Sequence, residues 1–250
     1  MSRLIRMEFF KCRRRMLWLA PLILLAAQMA WGLWSFRDLD AKELSQGWAN
    51  ILYTFPMLNA MMTPVIAAVV ASRVADIEHK GQTLKLLETL RPTGRLFDAK
   101  FLCAAAWMGL YTLAQTAVLI VFGIVRGFAG PPPVVHIGEY FLATLLVTQT
   151  ILLFQLIVSL LLPNQMIGMI LGLIGAFLGL FSLFFPQSLH KFLLWAYYGV
   201  LYVAAMDWDP VTRVTDYYLT AFDWSGVLAL ALMFAALYLI GRRLFVRKEV

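Results

Sequence analysis

Charged side chains are scarce in this chain of 250 residues. Asp, Glu, Lys and Arg make up only 14% of it, whereas 62% of the residues are hydrophobic and the mean hydropathy is +0.78. A soluble domain carries roughly 25% charged residues. The composition therefore excludes a soluble enzyme, a disordered chain and a free nucleic-acid-binding protein, and it indicates a membrane protein with no nucleic acid as partner.

Residues that carry chemistry are also few. The two cysteines, Cys12 and Cys103, form no disulfide framework and no metal-binding spacing. The three histidines, His79, His136 and His190, all lie outside the apolar runs. No Gly-rich phosphate loop and no His-Glu-x-x-His motif occurs. We therefore expect no catalytic site, no metal site and no cofactor bound by this chain.

Six long apolar runs are present, and none contains Asp, Glu, Lys or Arg. A helix needs roughly 20 apolar residues to cross a bilayer. The first run is too long for the core of a signal peptide and lacks a good cleavage pattern, so we interpret it as an uncleaved span. The predicted fold is an all-α polytopic membrane protein, a single transmembrane domain over 1–250. Its six spans are 16–36, 51–72, 101–125, 140–162, 166–185 and 226–241.

The basic residues predict the orientation. The leader 1–15, the segment 73–100 and the tail after 241 together hold 16 of the 21 Lys and Arg residues. Because basic segments stay in the cytoplasm, both termini are predicted to be cytoplasmic and the number of spans to be even. The net charge is then +10 inside (16 basic, 6 acidic) and −3 outside (5 basic, 8 acidic).

The outer loop 186–225 contains a further apolar stretch, Phe192–Met206. Its 15 residues are too few for a span, and a seventh span would place the basic tail outside. We predict a partial, re-entrant helical element that dips in from the outer face before span six.

The segment 73–100 predicts a short amphipathic cytoplasmic helix followed by a turn at Arg91-Pro92-Thr93-Gly94. One interpretation is a helix lying on anionic lipid, and the other is a docking element for a cytoplasmic partner. The residues spaced by three and four are Val74, Ile77, Gly81, Leu84 and Leu87.

The same segment resembles the coupling region of type-2 ABC transporter permeases. Those proteins carry, directly after span two, a Glu, a Gly-Thr pair, leucines, a Pro-containing turn with a basic residue, and a Lys at the start of span three. The resemblance extends to lantibiotic and bacteriocin immunity permeases, which have about this length and six spans. One departure is Arg-Pro-Thr-Gly-Arg where many members have Pro-x-Ser-Arg. The matching residues are Glu78, Gly81, Thr83, Leu87, Arg91, Pro92, Arg95 and Lys100.

This resemblance implies a permease in the bacterial plasma membrane, paired with a second, identical or different permease. A separate ABC ATPase subunit would bind ATP and Mg²⁺. A coupling helix over Arg73–Leu90 would fit into a cleft of that ATPase, and the basic leader would be an interfacial helix at the same surface. The implied coupling residues are Arg73, Asp76, Ile77, Glu78, Gly81, Thr83, Leu84, Leu87, Arg91 and Pro92.

Two groups of residues are candidates for facing the substrate. The acidic outer loops would attract a cationic amphipathic peptide, although outer loops also lose Lys and Arg for topological reasons alone. In span two, polar residues near Pro56 and Pro64 either line a path for substrate or pack against a neighbour. The candidates are Asn59, Thr63, Asp207, Asp209 and Asp216.

The leading hypothesis is the membrane subunit of an ATP-driven exporter. It would expel a lantibiotic, a bacteriocin or a similar amphipathic peptide and so confer immunity or resistance. The alternative is a non-transport membrane protein, either a sensor or an anchoring subunit of a membrane complex. An intramembrane enzyme is disfavoured because the spans hold no acid–base pair.

Overall fold

A computed structural model describes residues 2–14, 16–81 and 93–247 of the chain. Most of these residues are helical, and one two-stranded antiparallel sheet is present among them. The helices are α1 (Ser2–Arg14), α2 (Leu19–Trp34), α3 (Ala41–Ser45), α4 (Gly47–Gly81), α5 (Thr93–Arg126), α6 (Val134–Leu161), α7 (Gln165–Phe181), α8 (Gln187–His190), α9 (Tyr197–Val200) and α10 (Trp224–Arg247). The strands are β1 (Ala204–Trp208) and β2 (Thr215–Leu219).

Four of the described helices are long and apolar enough to cross a membrane, namely α4, α5, α6 and α10. Helices α1 and α2 are bent by 64° at their break and together would make a fifth span. Helix α7 is apolar but has only 17 residues. The chain is therefore a multi-pass helical membrane protein, as the hydropathy predicts.

The helices extend beyond the apolar runs at the predicted cytoplasmic side. Helix α4 continues from its span through residues 73–81 without a break, and α5 begins at Thr93 rather than near residue 101. Polar residues can continue a helix into water, because backbone hydrogen bonding in a helix does not depend on the hydropathy of its side chains.

The outer segment before α10 differs from the predicted helical element. Two 3₁₀ turns and the short helices α8 and α9 end at Val200, and a β-hairpin follows. Strand β1 pairs with β2, so that Met206 lies opposite Tyr217 and Asp207 opposite Asp216. In the turn, Arg213 adopts a left-handed conformation with φ of 56°. The second half of the apolar stretch 192–206 is thus partly extended rather than wholly helical.

Helix α7 packs against α4 through a face made of glycines. An added Cβ at Gly172 would lie 2.5 Å from Cβ of Ala68, and one at Gly179 would lie 2.7 Å from the carbonyl oxygen of Ala60. Pro64 has no N–H, so it cannot donate the helical hydrogen bond to that carbonyl. The small residues therefore let α7 approach α4 at backbone distance, as in other close-packed membrane helices. The other two buried glycines of α7 have different neighbours, because Gly168 faces Ser159 of α6 and Gly175 faces Trp195.

The predicted inner segments contact one another, and so do the predicted outer ones. At the inner end, Arg242 Nε lies 3.0 Å from Asp98 Oδ1. At the outer end, the Arg126 guanidinium donates to the carbonyl of Phe36, and the N–H of Ala129 donates to the carbonyl of Leu44. This grouping is the one expected if each set lies on one side of the membrane.

We predict that Gly179→Ala lowers the thermal stability of the protein in detergent. The new methyl group would press on the Ala60 carbonyl, a backbone atom that yields only if a helix shifts, at a cost of about 1–3 kcal/mol. Gly138→Ala is the matched control, because Gly138 is an exposed helical residue with open space around its Cα. The measurement is Tm by differential scanning fluorimetry. Equal Tm values for the two variants would contradict the close packing of α7 on α4.

Candidate functional site

A cluster of polar side chains lies buried among the apolar helices, with Asn59 of α4 at its centre. The Oδ1 atom of Asn59 accepts hydrogen bonds from Nε2 of Gln28 in α2 and from Nε2 of Gln115 in α5, both at 2.8 Å. Its Nδ2 atom donates to Gln115 Oε1 and to the Tyr140 hydroxyl of α6, both at 3.2 Å. Asn59 therefore bonds to side chains from three other helices.

The other members of the cluster complete one another's hydrogen bonds. The Tyr140 hydroxyl donates to Gln115 Oε1 at 3.1 Å, and the Tyr111 hydroxyl donates to Gln28 Oε1. Asn59, Gln28 and Gln115 are fully buried. Away from water, amides without partners would be costly, so this network fixes the relative positions of α2, α4, α5 and α6.

Thr63 lies one turn further along α4. Its hydroxyl is buried and has no hydrogen-bond partner at normal geometry within the described part of the chain. Nearby, the hydroxyls of Thr148 and Tyr198 are 2.9 Å apart. Asn59 and Thr63 are the two candidates in span two. The hydrogen bonds of Asn59 give it a role in holding the helices together, whereas no hydrogen bond at normal geometry gives Thr63 such a role.

We predict that Asn59→Ala destabilises the protein by about 2 kcal/mol, because it leaves the amides of Gln28 and Gln115 with unmet hydrogen bonds. Asn50→Ala is the control on the same helix, since the Asn50 side chain accepts one hydrogen bond from Thr54. The measurement is reversible unfolding in mixed micelles. A smaller loss for Asn59→Ala than for Asn50→Ala would show that the cluster does not hold the helices together.

At the outer end, the β-hairpin is clamped to the start of α4. Lys42 Nζ lies 2.6 Å from Asp216 Oδ1, and Gln46 Nε2 donates to the same oxygen at 2.8 Å. Gln46 Oε1 accepts from the N–H of Tyr217 at 2.8 Å. The rings of Tyr217 and Tyr53 are 5.7 Å apart. The hairpin therefore rests on the segment that leads into the Asn59 helix.

The three acidic candidates in the hairpin have different surroundings. Asp216 is bound to Lys42 and Gln46, and these hydrogen bonds lower the pKa of its carboxyl. The hydroxyl of Thr212 and the N–H of Val211 lower the pKa of Asp209. Asp207 is exposed and lies opposite Asp216 in the sheet. The lowered pKa values of Asp209 and Asp216 keep both side chains as carboxylates at neutral pH.

We predict that Lys42→Met raises the pKa of Asp216 and leaves that of Asp209 unchanged, because only Asp216 contacts Lys42. In the wild type, Asp216 has a folded-state pKa below the ordinary value of about 4. Its stabilising effect is complete above that value and is lost as the pH falls through the lowered pKa. NMR titration of ¹³C-carboxyl-labelled aspartate measures both values. A shift at Asp209 equal to that at Asp216 would refute the clamp.

At the inner end, the structure describes only part of the predicted coupling set. Arg73 is exposed and Asp76 is half-buried near the inner end of α4. Ile77, Glu78 and Gly81 belong to the last turns of the same helix. The remaining coupling candidates, Thr83, Leu84, Leu87, Arg91 and Pro92, lie outside the described residues. The first nine residues of the coupling segment are thus a direct continuation of the helix that carries Asn59.

The basic leader is tied to α5 by contacts that the sequence did not predict. Lys100 Nζ lies 3.2 Å from Glu8 Oε2, and both side chains are fully buried. Lys11 contacts the other oxygen of Glu8 at 3.0 Å. The sulfur atoms of Cys12 and Cys103 are 3.1 Å apart. Helix α1 therefore packs against α5 through a buried charge pair, in addition to any contact with lipid.

The described residues contain no group of three or more His, Cys, Asp or Glu side chains placed to hold a metal ion. The side chains that converge around Asn59 are amides and hydroxyls, and such groups hold helices together by hydrogen bonds.

The sequence pattern of the ABC-2 family transporter proteins matches residues 4–179, which is more than half of the chain. The protein belongs to the ABC-2 transporter family. No curated protein matches the chain in sequence. As an ABC-2 permease it is a membrane component of an ABC transporter in the plasma membrane, and it associates with an ABC ATPase. The match covers α1 to most of α7 and so includes the Asn59 cluster, whereas the hairpin lies beyond it.

Proposed function

We propose that this ABC-2 permease is the membrane subunit of an exporter that expels a cationic amphipathic peptide, such as a lantibiotic or a bacteriocin. It would have six spans, with α2 and α7 as the shorter ones, and both termini in the cytoplasm. A second permease, identical or different, would complete the pathway. The membership of the chain in the ABC-2 family is the observation that carries the proposal.

Helix α4 supports the coupling part of the proposal. It runs unbroken over 35 residues from the outer hairpin to Gly81, which corresponds to a length of about 52 Å. Its outer half contacts the hairpin, Asn59 binds the neighbouring helices, and its inner end begins the predicted coupling segment. A movement of the ATPase against that segment would therefore act on a helix already joined to the outer surface.

The source of energy follows from the scarcity of charge. The six predicted spans contain no Asp, Glu, Lys or Arg, whereas proton-coupled carriers use such residues inside the bundle. Transport against a gradient would then depend on ATP and Mg²⁺ bound by the partner ATPase.

The charge of the outer surface supports a cationic substrate. The predicted outer loops carry a net charge of −3 (5 basic, 8 acidic). Lys42 is bound to Asp216, and Lys191 lies 3.3 Å from Asp223. Arg37 Nε also lies 2.7 Å from Asp38 Oδ2. Three of the five outer cations are thus already paired, and the acidic excess is available to attract a cationic peptide.

We predict that Gly81→Trp combined with Glu78→Ala abolishes stimulation of ATP hydrolysis by the permease. The bulky ring would disturb the seating of the coupling segment in the ATPase. The experiment reconstitutes the chain with an ABC ATPase and a second permease, and it measures ATP hydrolysis and peptide export in vesicles. Gly138→Ala, an exposed and uncharged change away from the coupling segment, is the control and should behave as the wild type. Undiminished export by the double variant would refute the coupling role.

The same assay separates export from the alternative role in sensing. An exporter moves labelled peptide across the vesicle membrane in proportion to ATP consumed. Peptide-stimulated ATP hydrolysis with no movement of peptide would instead support a sensor or an anchoring subunit.

A further inference from the structure

One edge of the β-hairpin is open. Backbone hydrogen bonds join Val203 to Thr220 and Asp209 to Val214, and the same alternation makes residues 205 and 207 bond to β2. The N–H and C=O groups of Met206 and Trp208 therefore point away from β2. On the opposite edge the N–H of Tyr217 is satisfied by Gln46. No such partner is present for Met206 or Trp208 among the described residues.

An apolar cavity of about 200 Å³ lies beside this open edge. It is bordered by the hairpin, by the outer half of α4 and by α9, and the side chains lining it include Tyr53, Met57, Tyr198, Tyr202 and Met206. Sites for whole small molecules usually have about 300–1,000 Å³. The cavity is therefore of a size to take one apolar side chain of a longer ligand.

The charge around the edge favours a cationic occupant. Asp207 and Asp209 are exposed at the end of β1, and Lys42 is already bound to Asp216. A second copy of this hairpin would bring its own acidic residues to the same edge, and like charges on neighbouring strands are destabilising. A cationic strand would meet opposite charges instead.

We propose that the edge of β1 binds an extended segment of a cationic amphipathic peptide as a third strand. Backbone groups of the peptide would bond to the N–H and C=O of Met206 and Trp208. One inward apolar side chain would enter the cavity, and basic side chains would lie near Asp207 and Asp209. Strand addition gives affinity through the backbone and selectivity through the alternate side chains. The proposal rests on the proposed export of such peptides, and it names where they are first held.

The first test alters the protein. Met206→Pro removes the outward N–H, and proline is tolerated on a strand edge because that N–H takes no part in the ladder. Thr215→Pro makes the same change on the edge clamped by Lys42, and Met206→Leu keeps the backbone donor. The full-length chain is placed in zwitterionic lipid nanodiscs without ATPase. A fluorescent octapeptide of alternating Val and Lys is the probe, and anisotropy measures binding.

We expect Met206→Pro to weaken binding at least tenfold, and Thr215→Pro and Met206→Leu to bind nearly as the wild type. Asp207→Asn should weaken binding and reduce its dependence on salt. Equal binding by Met206→Pro and the wild type, at unchanged Tm, would overturn the proposal.

The second test alters the peptide and stays informative even if Met206→Pro fails to fold. The same octapeptide, N-methylated at alternate residues along one edge, keeps its side chains and loses the backbone donors of that edge. Strand addition predicts at least tenfold weaker binding when the methylated edge is the one that must pair. Binding insensitive to methylation on either edge would overturn the proposal and indicate lipid-like burial of the side chains.

The strand site and the proposed export function can be refuted independently of each other. Binding is measured without ATPase, so normal edge-dependent binding with no ATP-driven export would refute the exporter and leave the strand site in place. Normal export by Met206→Pro would refute the strand site and leave the exporter in place.

Discussion

The polar side chain of Asn59 imposes the constraint on which the helix arrangement depends. Within lipid no water is available to satisfy an amide, so each of its hydrogen-bonding atoms must find a protein partner. Asn59 finds them on α2, α5 and α6 at once. Any rearrangement that separated these helices would expose several amides to hydrocarbon. The bundle around α4 is therefore held as a unit.

Helix α4, which carries Asn59, connects the predicted outer and inner ends of the bundle. Its outer turns meet the hairpin through Tyr53, and its last turns enter the coupling segment. On its other side it meets the glycines of α7, where the Ala60 carbonyl, to which Pro64 cannot donate a hydrogen bond, lies against Gly179. The part of α4 around Pro64 is thus packed closely against the backbone of α7.

The sequence predicted the helical class and most of the spans, because long apolar runs have few alternatives in a membrane. The predicted span bounds are narrower than the helices, since α4 and α5 continue through polar residues that a hydropathy pattern does not count in a span. The sequence did not decide whether Asn59 lines a path for substrate or packs against a neighbouring helix, because the hydrogen-bond partners of Asn59 lie 31 to 81 residues away. The spacing Gly168, Gly172, Gly175, Gly179 was an available signal for close packing.

Other features lay beyond pattern analysis for physical reasons. The pairing of Glu8 with Lys100 spans 92 residues, and neither residue is unusual in its own segment. The hairpin was not predicted, because its first strand begins inside the apolar stretch Phe192–Met206 and a short apolar run does not distinguish a helix from a strand. Gln46 and Asp216 join the hairpin to the segment before α4, but they lie 170 residues apart in the sequence. Nothing in the pattern around either residue indicates that contact.

The buried position of Cys12 and Cys103 determines how this protein can be handled with thiol chemistry. Both side chains are fully buried, and their sulfur atoms face each other. A polar maleimide would not reach either of them in the folded protein, because labelling requires an accessible thiolate. The two natural cysteines would therefore stay unlabelled, and a single cysteine introduced on the hairpin would be the residue that reacts with the maleimide.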